Sequence, residues 1–214
     1  EQVAWQAATL IDLKLGDTGV RVRPVGEEGD ALEVFVHSPD RDGLFAAILA
    51  TLDRNGYGVH QAHVLNGRKG TVFDTFEVVP ADSFATGDAD ALQAALGEAL
   101  ARPLEQIRVS RRALPRQLKY FRFPPKIELR TRRNGRSSVL ALVCPDRPGL
   151  LAEVAQVLRD CRLRVHNARI ATFGERAEDL FEITDEDNRP VADESRRQAL
   201  LDALHACLDP EKKQ

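Results

Sequence analysis

The chain has 214 residues, 43% hydrophobic and 29% charged, with 30 basic and 33 acidic side chains and a net charge of −3. Those proportions belong to a globular protein with room for one or two domains, and no apolar run approaches the ~20 residues that span a bilayer. Cys144, Cys161 and Cys207 are odd in number and lack CxxC spacing, which argues against a disulfide frame or a zinc site and for a reducing, cytoplasmic setting.

In chain order, Val3, Ala7, Leu10 and Ile11 follow helical spacing. The chain holds no methionine, so residues 1–18 are read as the end of a helical region of a longer protein. Val20, Val22 and Val25 then lead through the turn-forming EEGD to the alternating run LEVFVH, an extended pair. Leu44, Ile48 and Leu52 place a helix after it, with Asp40 or Asp42 as candidate caps and Gly56 and Gly58 at its exit. VHQAHVL and TVFDTFEVV read as a hairpin turning at Asn66-Gly67. Leu92, Leu96, Ala99 and Leu100 form one face of a second helix, and QIRVSRR reads as a closing strand.

The order then repeats. IELRT leads through Asn134-Gly135, a type I′ hairpin signal, to SVLALVC. Leu151, Ala155 and Leu158 mark a helix, with Pro148 suited to its first turn. Arg162 and Arg164 stand where the first half has Gly56 and Gly58, so a different helix exit is expected. VHNARIAT and DLFEIT follow with Gly174 between them, then a helix carrying Leu200, Leu201, Leu204 and Leu208, and no closing strand.

A shift of 106 positions superposes the halves: ten of the thirty-one positions in 34–64 are identical in 140–170, among them Asp40/Asp146, Arg41/Arg147, Gly43/Gly149, Leu44/Leu150 and His60/His166. That period is longer than the ~20–50 residues of solenoid units, so it marks a duplicated domain. The expected fold is α+β: two ferredoxin-like βαββαβ units with extra N-terminal hairpin strands, over 19–113 and 127–214, joined by a linker at 114–126. In the second unit the hairpin strand near Ile127–Arg132 is expected to stand in for the missing closing strand. Open sheet edges should bring the two units together, within one chain or between chains.

The best-preserved stretch is a turn, Pro-Asp-Arg-x-Gly-Leu. A helix N-terminus offers free amides to a carboxylate, Asp40 and Asp146 offer an oxygen to an ammonium, and Gly43 and Gly149 leave space for close approach. An α-amino acid presents both groups side by side. The same residues also suit a cap and a turn. The candidate ligand-binding set is Asp40, Arg41, Asp42, Gly43, Leu44 and Gln61 in the first half, with Asp146, Arg147, Gly149, Leu150, Leu151 and Asn167 in the second.

This D-R-x-G-L turn between strand and helix resembles that of the ACT domain, a small amino-acid-binding regulatory module. The segment LKYFRFPPKIELRTRRNGRSSVLALVCPDRPGLLAEV is similar to the C-terminal part of the bifunctional PII uridylyltransferase/uridylyl-removing enzymes. The resemblance implies a tandem ACT region that senses L-glutamine and controls uridylyl transfer to, and removal from, the PII protein through upstream catalytic domains. It implies no cofactor for this chain, although the parent enzyme would need a divalent metal. Neither a Gly-Ser turn with paired aspartates nor a catalytic His-Asp pair occurs here, so no catalytic centre is expected.

Other readings are weaker. His60 and His63 should point to opposite faces of a strand, which disfavours joint chelation. His60 and His166 read as packed strand residues. Cys144 lies in an apolar strand where thiols are inert. Residues 108–136 hold eleven Lys or Arg against Glu128, interleaved with Tyr120, Phe121 and Phe123, which could bind nucleic acid. A solvated linker is favoured over that reading at a net charge of −3. A stand-alone tandem ACT regulator of transcription, similar to the glycine-cleavage repressor family, is the other alternative.

Overall fold

The computed structural model describes residues 2–11, 17–26, 30–67, 70–81, 87–107, 109 and 123–208. The elements are α1 (Gln2–Ile11), β1 (Gly19–Val25), β2 (Ala31–Pro39), α2 (Leu44–Arg54), β3 (Tyr57–Asn66), β4 (Thr71–Pro80) and α3 (Ala89–Leu100), then a 3-10 turn at Leu104–Gln106. The second half gives β5 (Lys126–Thr131), β6 (Ser138–Pro145), α4 (Leu150–Asp160), β7 (Arg164–Phe173), β8 (Arg176–Thr184) and α5 (Glu194–Leu208).

All eight strands join one antiparallel sheet in the order β1-β2-β4-β3-β7-β8-β6-β5. The order is a mirror: each half contributes four strands, and β3 pairs with β7 at the centre, from Gln61↔Ala171 to Leu65↔Asn167. The expected side-by-side arrangement is thus formed within a single chain. Both inner edges are covered, which removes an exposed strand template.

Each half is ferredoxin-like with one substitution. β5 pairs along the outer side of β6, Lys126↔Val143 to Thr131↔Ser138, where a closing strand would lie. The first half does the same: β1 pairs with β2 over Gly19↔His37 to Val25↔Ala31. The closing strand expected at QIRVSRR is therefore corrected. Gln106 ends a 3-10 turn, and Ile107 and Val109 lie outside any strand; residues 108 and 110–112 are outside the described residues. β1 already occupies the edge of β2, so Leu104 and Ile107 instead bury their side chains in the core.

The helices α2–α5 share one face of the sheet with the apolar core, where Val34, Val36, Ile48, Leu52, Leu140, Leu158 and Phe181 are fully buried. The core is continuous between halves, since α2 packs on α4. On the opposite face α1 lies against the first half: Trp5 meets Phe35 edge-on, Gln6 donates to Thr75 Oγ1 at 2.9 Å, and the Arg23 guanidinium stacks 4.3 Å from the Trp5 ring centroid. Most of the linker at 114–126, including Tyr120 and Phe121, lies outside the described residues.

Local signals differ from expectation in three places. Asn134 does not take the positive φ of a type I′ turn; Gly135, at φ +66, does, and its amide bonds to the Arg132 carbonyl at 2.9 Å, closing a four-residue turn. Neither Asp40 nor Asp42 caps its helix, and Pro148 lies just before the first turn of α4. Gly43 and Gly149 are the N-cap residues, at φ 80 and 76, and no side chain caps either N-terminus. The two helix exits, expected to differ, are alike: Arg162 adopts φ 54 where Gly56 has φ 80. That conformation costs a non-glycine residue on the order of 1 kcal/mol or more.

Candidate ligand-binding sites at the two strand-to-helix turns

The mirror places each Pro-Asp-Arg-x-Gly-Leu turn against the other half. A Cβ on Gly43 would come within 2.8 Å of Arg159 Cδ on α4, and one on Gly149 within 3.4 Å of Asp53 Oδ1 on α2. Asp53 and Arg159 are equivalent positions under the shift of 106. Both glycines are thus required for φ, and Gly43 also for the approach of Arg159 from the neighbouring helix.

A cavity opens at each junction. The first, of about 290 Å³, is lined from the first half by Asp40–Ala46 and Asp74, and from the second by Leu158, Arg159, Arg162, Arg164 and Glu186 among others. The second, of about 270 Å³, is lined by Asp146–Ala152 from the second half and by Leu49, Asp53, Tyr57 and Val59 from the first. Asp40, Arg41, Asp42, Gly43 and Leu44 therefore gather at one cavity, and Asp146, Arg147, Gly149, Leu150 and Leu151 at the other.

Gln61 and Asn167 line neither cavity. A β-bulge between Val59 and Gln61, and its twin between Val165 and Asn167, shifts the register by one residue. The bulge breaks the alternation of faces, leaving both amides exposed. It also undoes the parity used for His60 and His63, which are both exposed, with His63 Nε2 3.0 Å from Gln61 Nε2. Among the described residues no three His, Cys, Asp or Glu side chains are grouped to hold a metal ion.

The turn arginines reach back into their own halves. Arg41 Nη2 donates to the Leu100 carbonyl at 3.1 Å. Arg147 makes a bidentate pair with Glu153, both bonds 2.9 Å, and donates to the Cys207 carbonyl at 3.2 Å. Each thereby ties the turn to the last carbonyls of α3 or α5. These guanidiniums act as staples, although each also lies on the lining of its cavity.

The charge of the two cavities differs. The first has Asp40 opposite Arg162 and Arg164, with Arg164 Nε 3.3 Å from Asp42 Oδ1 across the junction. Arg159 is held by the Leu104 and Ile107 carbonyls at 3.3 Å. The second sets Asp146 near Asp53, both on its lining. Burial raises the Asp146 carboxyl above the ordinary carboxylate range, offset in part by its bond to the Arg147 amide and by the Arg147 and His60 charges. His166 lies close enough to Asp40 to feel its charge; burial is the main cause of its lowered pKa, and its ring nitrogen sits 2.6 Å from Thr184 Oγ1. His166 is half-buried and bonded within its own half, whereas His60 is exposed on its strand. Burial pushes the Cys144 thiol up to about 12, the state of an inert thiol.

Two buried carboxylates went unnoticed in the sequence. Asp74 and Asp179 are 2% and 4% exposed, and in each Oδ1 has no hydrogen-bond partner. They are equivalent by register, since Asp74 faces Val36 and Asp179 faces Leu142. The signal was present: Asp74 interrupts the apolar parity of Val72, Phe76 and Val78, and Asp179 that of Ala177, Phe181 and Ile183. The equivalence was masked because the second β-hairpin is one residue shorter, which makes the shift there 105.

Two ferredoxin-like units thus share one sheet, with a cavity where each turn meets the other unit. Residues 138–209, about a third of the chain, match the ACT domain. The chain is 60% identical over 210 residues, 98% of its length, to the bifunctional uridylyltransferase/uridylyl-removing enzyme of Xanthomonas axonopodis pv. citri (strain 306). It is 36% identical over 186 residues to the enzyme of that name from Stutzerimonas stutzeri (strain A1501). It spans about a quarter of their length, 24% and 21%, and corresponds to a regulatory, ACT-bearing part of such enzymes. Among solved structures, aspartate kinase from Synechocystis is similar over 82% of this chain and 26% of that one, at 18% identity and a TM-score of 0.46.

Proposed function

We propose that this chain is the glutamine-sensing region of a uridylyltransferase/uridylyl-removing enzyme, and that it governs uridylyl transfer to and removal from the PII protein in the cytoplasm. The observation that supports this most is the placement of both turns at the junction between halves. A ligand held there touches two units at once, so its binding energy depends on their relative arrangement, which is what coupling to a distant centre requires. The first cavity offers a carboxylate at Asp40 and cations at Arg162 and Arg164, which is the complement of an amino-acid zwitterion. On this reading the divalent metal of the transfer reaction belongs to the catalytic part of the enzyme, and this chain supplies no ligand to it.

Calorimetric titration of the chain with L-glutamine tests the binding half of the proposal, with L-glutamate and L-asparagine as competitors. Saturable heat with glutamine preferred is the expected result; no heat at millimolar glutamine would refute it. In the full-length enzyme, glutamine should shift the ratio of uridylyl transfer to removal, and substitutions at the first turn should abolish that shift while both basal activities persist.

A further inference from the structure

The first cavity has a feature that the second lacks. Asp74 lies on its lining together with Asp40, whereas Asp179, the register equivalent of Asp74, is absent from the lining of the second cavity. The Asp74 carboxyl accepts a bond from the Leu65 amide, while its Oδ1 is buried without a partner. A buried oxygen of that kind costs free energy unless something occupies its lone pairs. The groups facing it are Asp40, Arg41 and Asp42 on the turn, Arg159 and Arg162 on and after α4, Arg164 on β7 and Glu186 after β8. Of the cations, Arg41 bonds the Leu100 carbonyl through Nη2 while its Nε is buried without a partner, Arg159 is held by backbone carbonyls, and Arg164 lies beside Asp42. None of them bonds to Asp74.

We propose that Asp74 is the second carboxyl of an ammonium site: a ligand's primary ammonium enters the first cavity, bridges Asp40 at the rim and Asp74 at the floor, and displaces a proton from Asp74 to solvent. The inference deepens the function proposed above and rests on it for the identity of the ligand. Charge balances simply. The neutral Asp74 acid and the ammonium become an ion pair, and one proton leaves to the buffer.

Burial pushes the Asp74 carboxyl up to about 8, with the Asp40 charge adding to the rise. The empty site therefore holds its proton at neutral pH, and a cation beside it reverses the preference. Binding should strengthen with pH, by up to about tenfold per unit below about 8, level off there, and weaken again once the ligand's own ammonium loses its proton. The device also separates ligands, because a group without a positive charge cannot replace the proton.

Glutamine titrations at pH 7 and pH 9, in buffers of different ionisation enthalpy, count the protons released. The wild-type chain should release close to one per glutamine at pH 7 and none, or take up a fraction, at pH 9, where part of the free amino acid has already lost its ammonium proton. Asp74→Asn mimics the neutral acid in shape, so the fold should persist by circular dichroism. That variant should release none and bind at least tenfold more weakly at pH 9, while Asp179→Asn matches the wild type. Binding without proton release, or an unchanged proton count in Asp74→Asn, overturns the assignment. A second measurement is independent of glutamine and of any variant: the Asp74 carboxyl ¹³C titration with and without ethylammonium chloride. Ethylammonium should lower the midpoint by a unit or more; an unmoved midpoint sinks the ammonium site. Absence of glutamine binding alongside a lowered midpoint sinks only the functional reading.

Discussion

Phe45, on the first half's α2, lies edge-on to Phe181 of the second half's β8, ring centroids 6.2 Å apart, and stacks on its own half's Phe76 at 6.3 Å. The position equivalent to Phe45 under the shift of 106 is Leu151, so this bridge is made from one side. Phe181 and Phe76 are fully buried, and the aromatic trio joins two duplicated units into one core. Phe45→Ala should therefore cost about 3–5 kcal/mol and lower both halves together. A single denaturant transition that moves as a whole, followed by amide exchange in β2 and β6, is the expected result. Two separated transitions would show that each half keeps its own core.

Arg147 and Arg41 occupy equivalent positions but carry unequal loads. Arg147 makes a nearly buried bidentate pair with Glu153, 12% and 11% exposed, besides its bond to Cys207, whereas among the described residues Arg41 bonds only the Leu100 carbonyl. Removing one partner of a buried pair strands the other charge. Arg147→Ala should lose about 2–4 kcal/mol and Arg41→Ala about 1 kcal/mol. Urea denaturation of the two variants side by side decides it, and equal losses would contradict the ordering.

At Arg162 stability and binding should separate. Its φ of 54 suits glycine, the residue present at the equivalent Gly56. Arg162→Gly relieves that strain and should gain roughly 0.5–1 kcal/mol, the unfolded-state entropy of glycine offsetting part of the relief. The same change removes a cation from the first cavity, so glutamine affinity should fall. A variant that melts higher and binds more weakly meets both expectations.

Asp74 and Asp179 also set a pH dependence of folding. Burial raises them from 3.8 to about 8 and about 7, so the native state holds two protons that the unfolded chain gives up near pH 4. Stability from these groups is full below about pH 4 and is lost as pH rises through about 7 and 8, at up to about 1.4 kcal/mol per unit for each. Above pH 8 the loss stops. Urea midpoints of the ligand-free chain should fall between pH 5 and 8, and Asp74→Asn with Asp179→Asn should flatten that fall. A midpoint rising with pH in this window would mean both carboxyls ionise in the native state.

The repeat made the fold legible because hairpins, amphipathic helices and the turn are local patterns, and each was written twice. The residues of QIRVSRR suit a strand by type; what keeps Ile107 and Val109 out of one is the edge of β2 already filled by β1, a tertiary fact. Gln61 and Asn167 were misplaced because one bulged residue reverses parity without a mark in composition. The Asp caps failed for a related reason, since a glycine in the left-handed region starts each helix and leaves no geometry for side-chain capping. The meeting of Gly43 with Arg159 lay beyond sequence altogether, because it depends on pairing β3 with β7.

Asp40 and Asp146 should differ in their effect on ligand binding. Neither caps a helix, so Asp→Asn at either position removes charge without removing a cap bond. Asp40 is exposed on a cavity lining that also holds Arg162, Arg164 and Asp74, whose Oδ1 is buried without a partner. Asp146 is more buried, shares its cavity with Asp53, and is raised toward neutrality by that burial. A zwitterion needs a cation opposite the carboxylate that holds its ammonium, and only the first cavity sets arginines from the opposite half there, since Arg147 in the second is spent on Glu153. Asp40→Asn should weaken glutamine binding by tenfold or more, with thermal stability close to wild type. Asp146→Asn should change affinity less than threefold. Calorimetry on the two single variants and the double variant measures both, and the double should match Asp40→Asn alone. If Asp146→Asn proves the damaging change, the amino acid sits in the second cavity, and the arginines of the first serve only to join the halves.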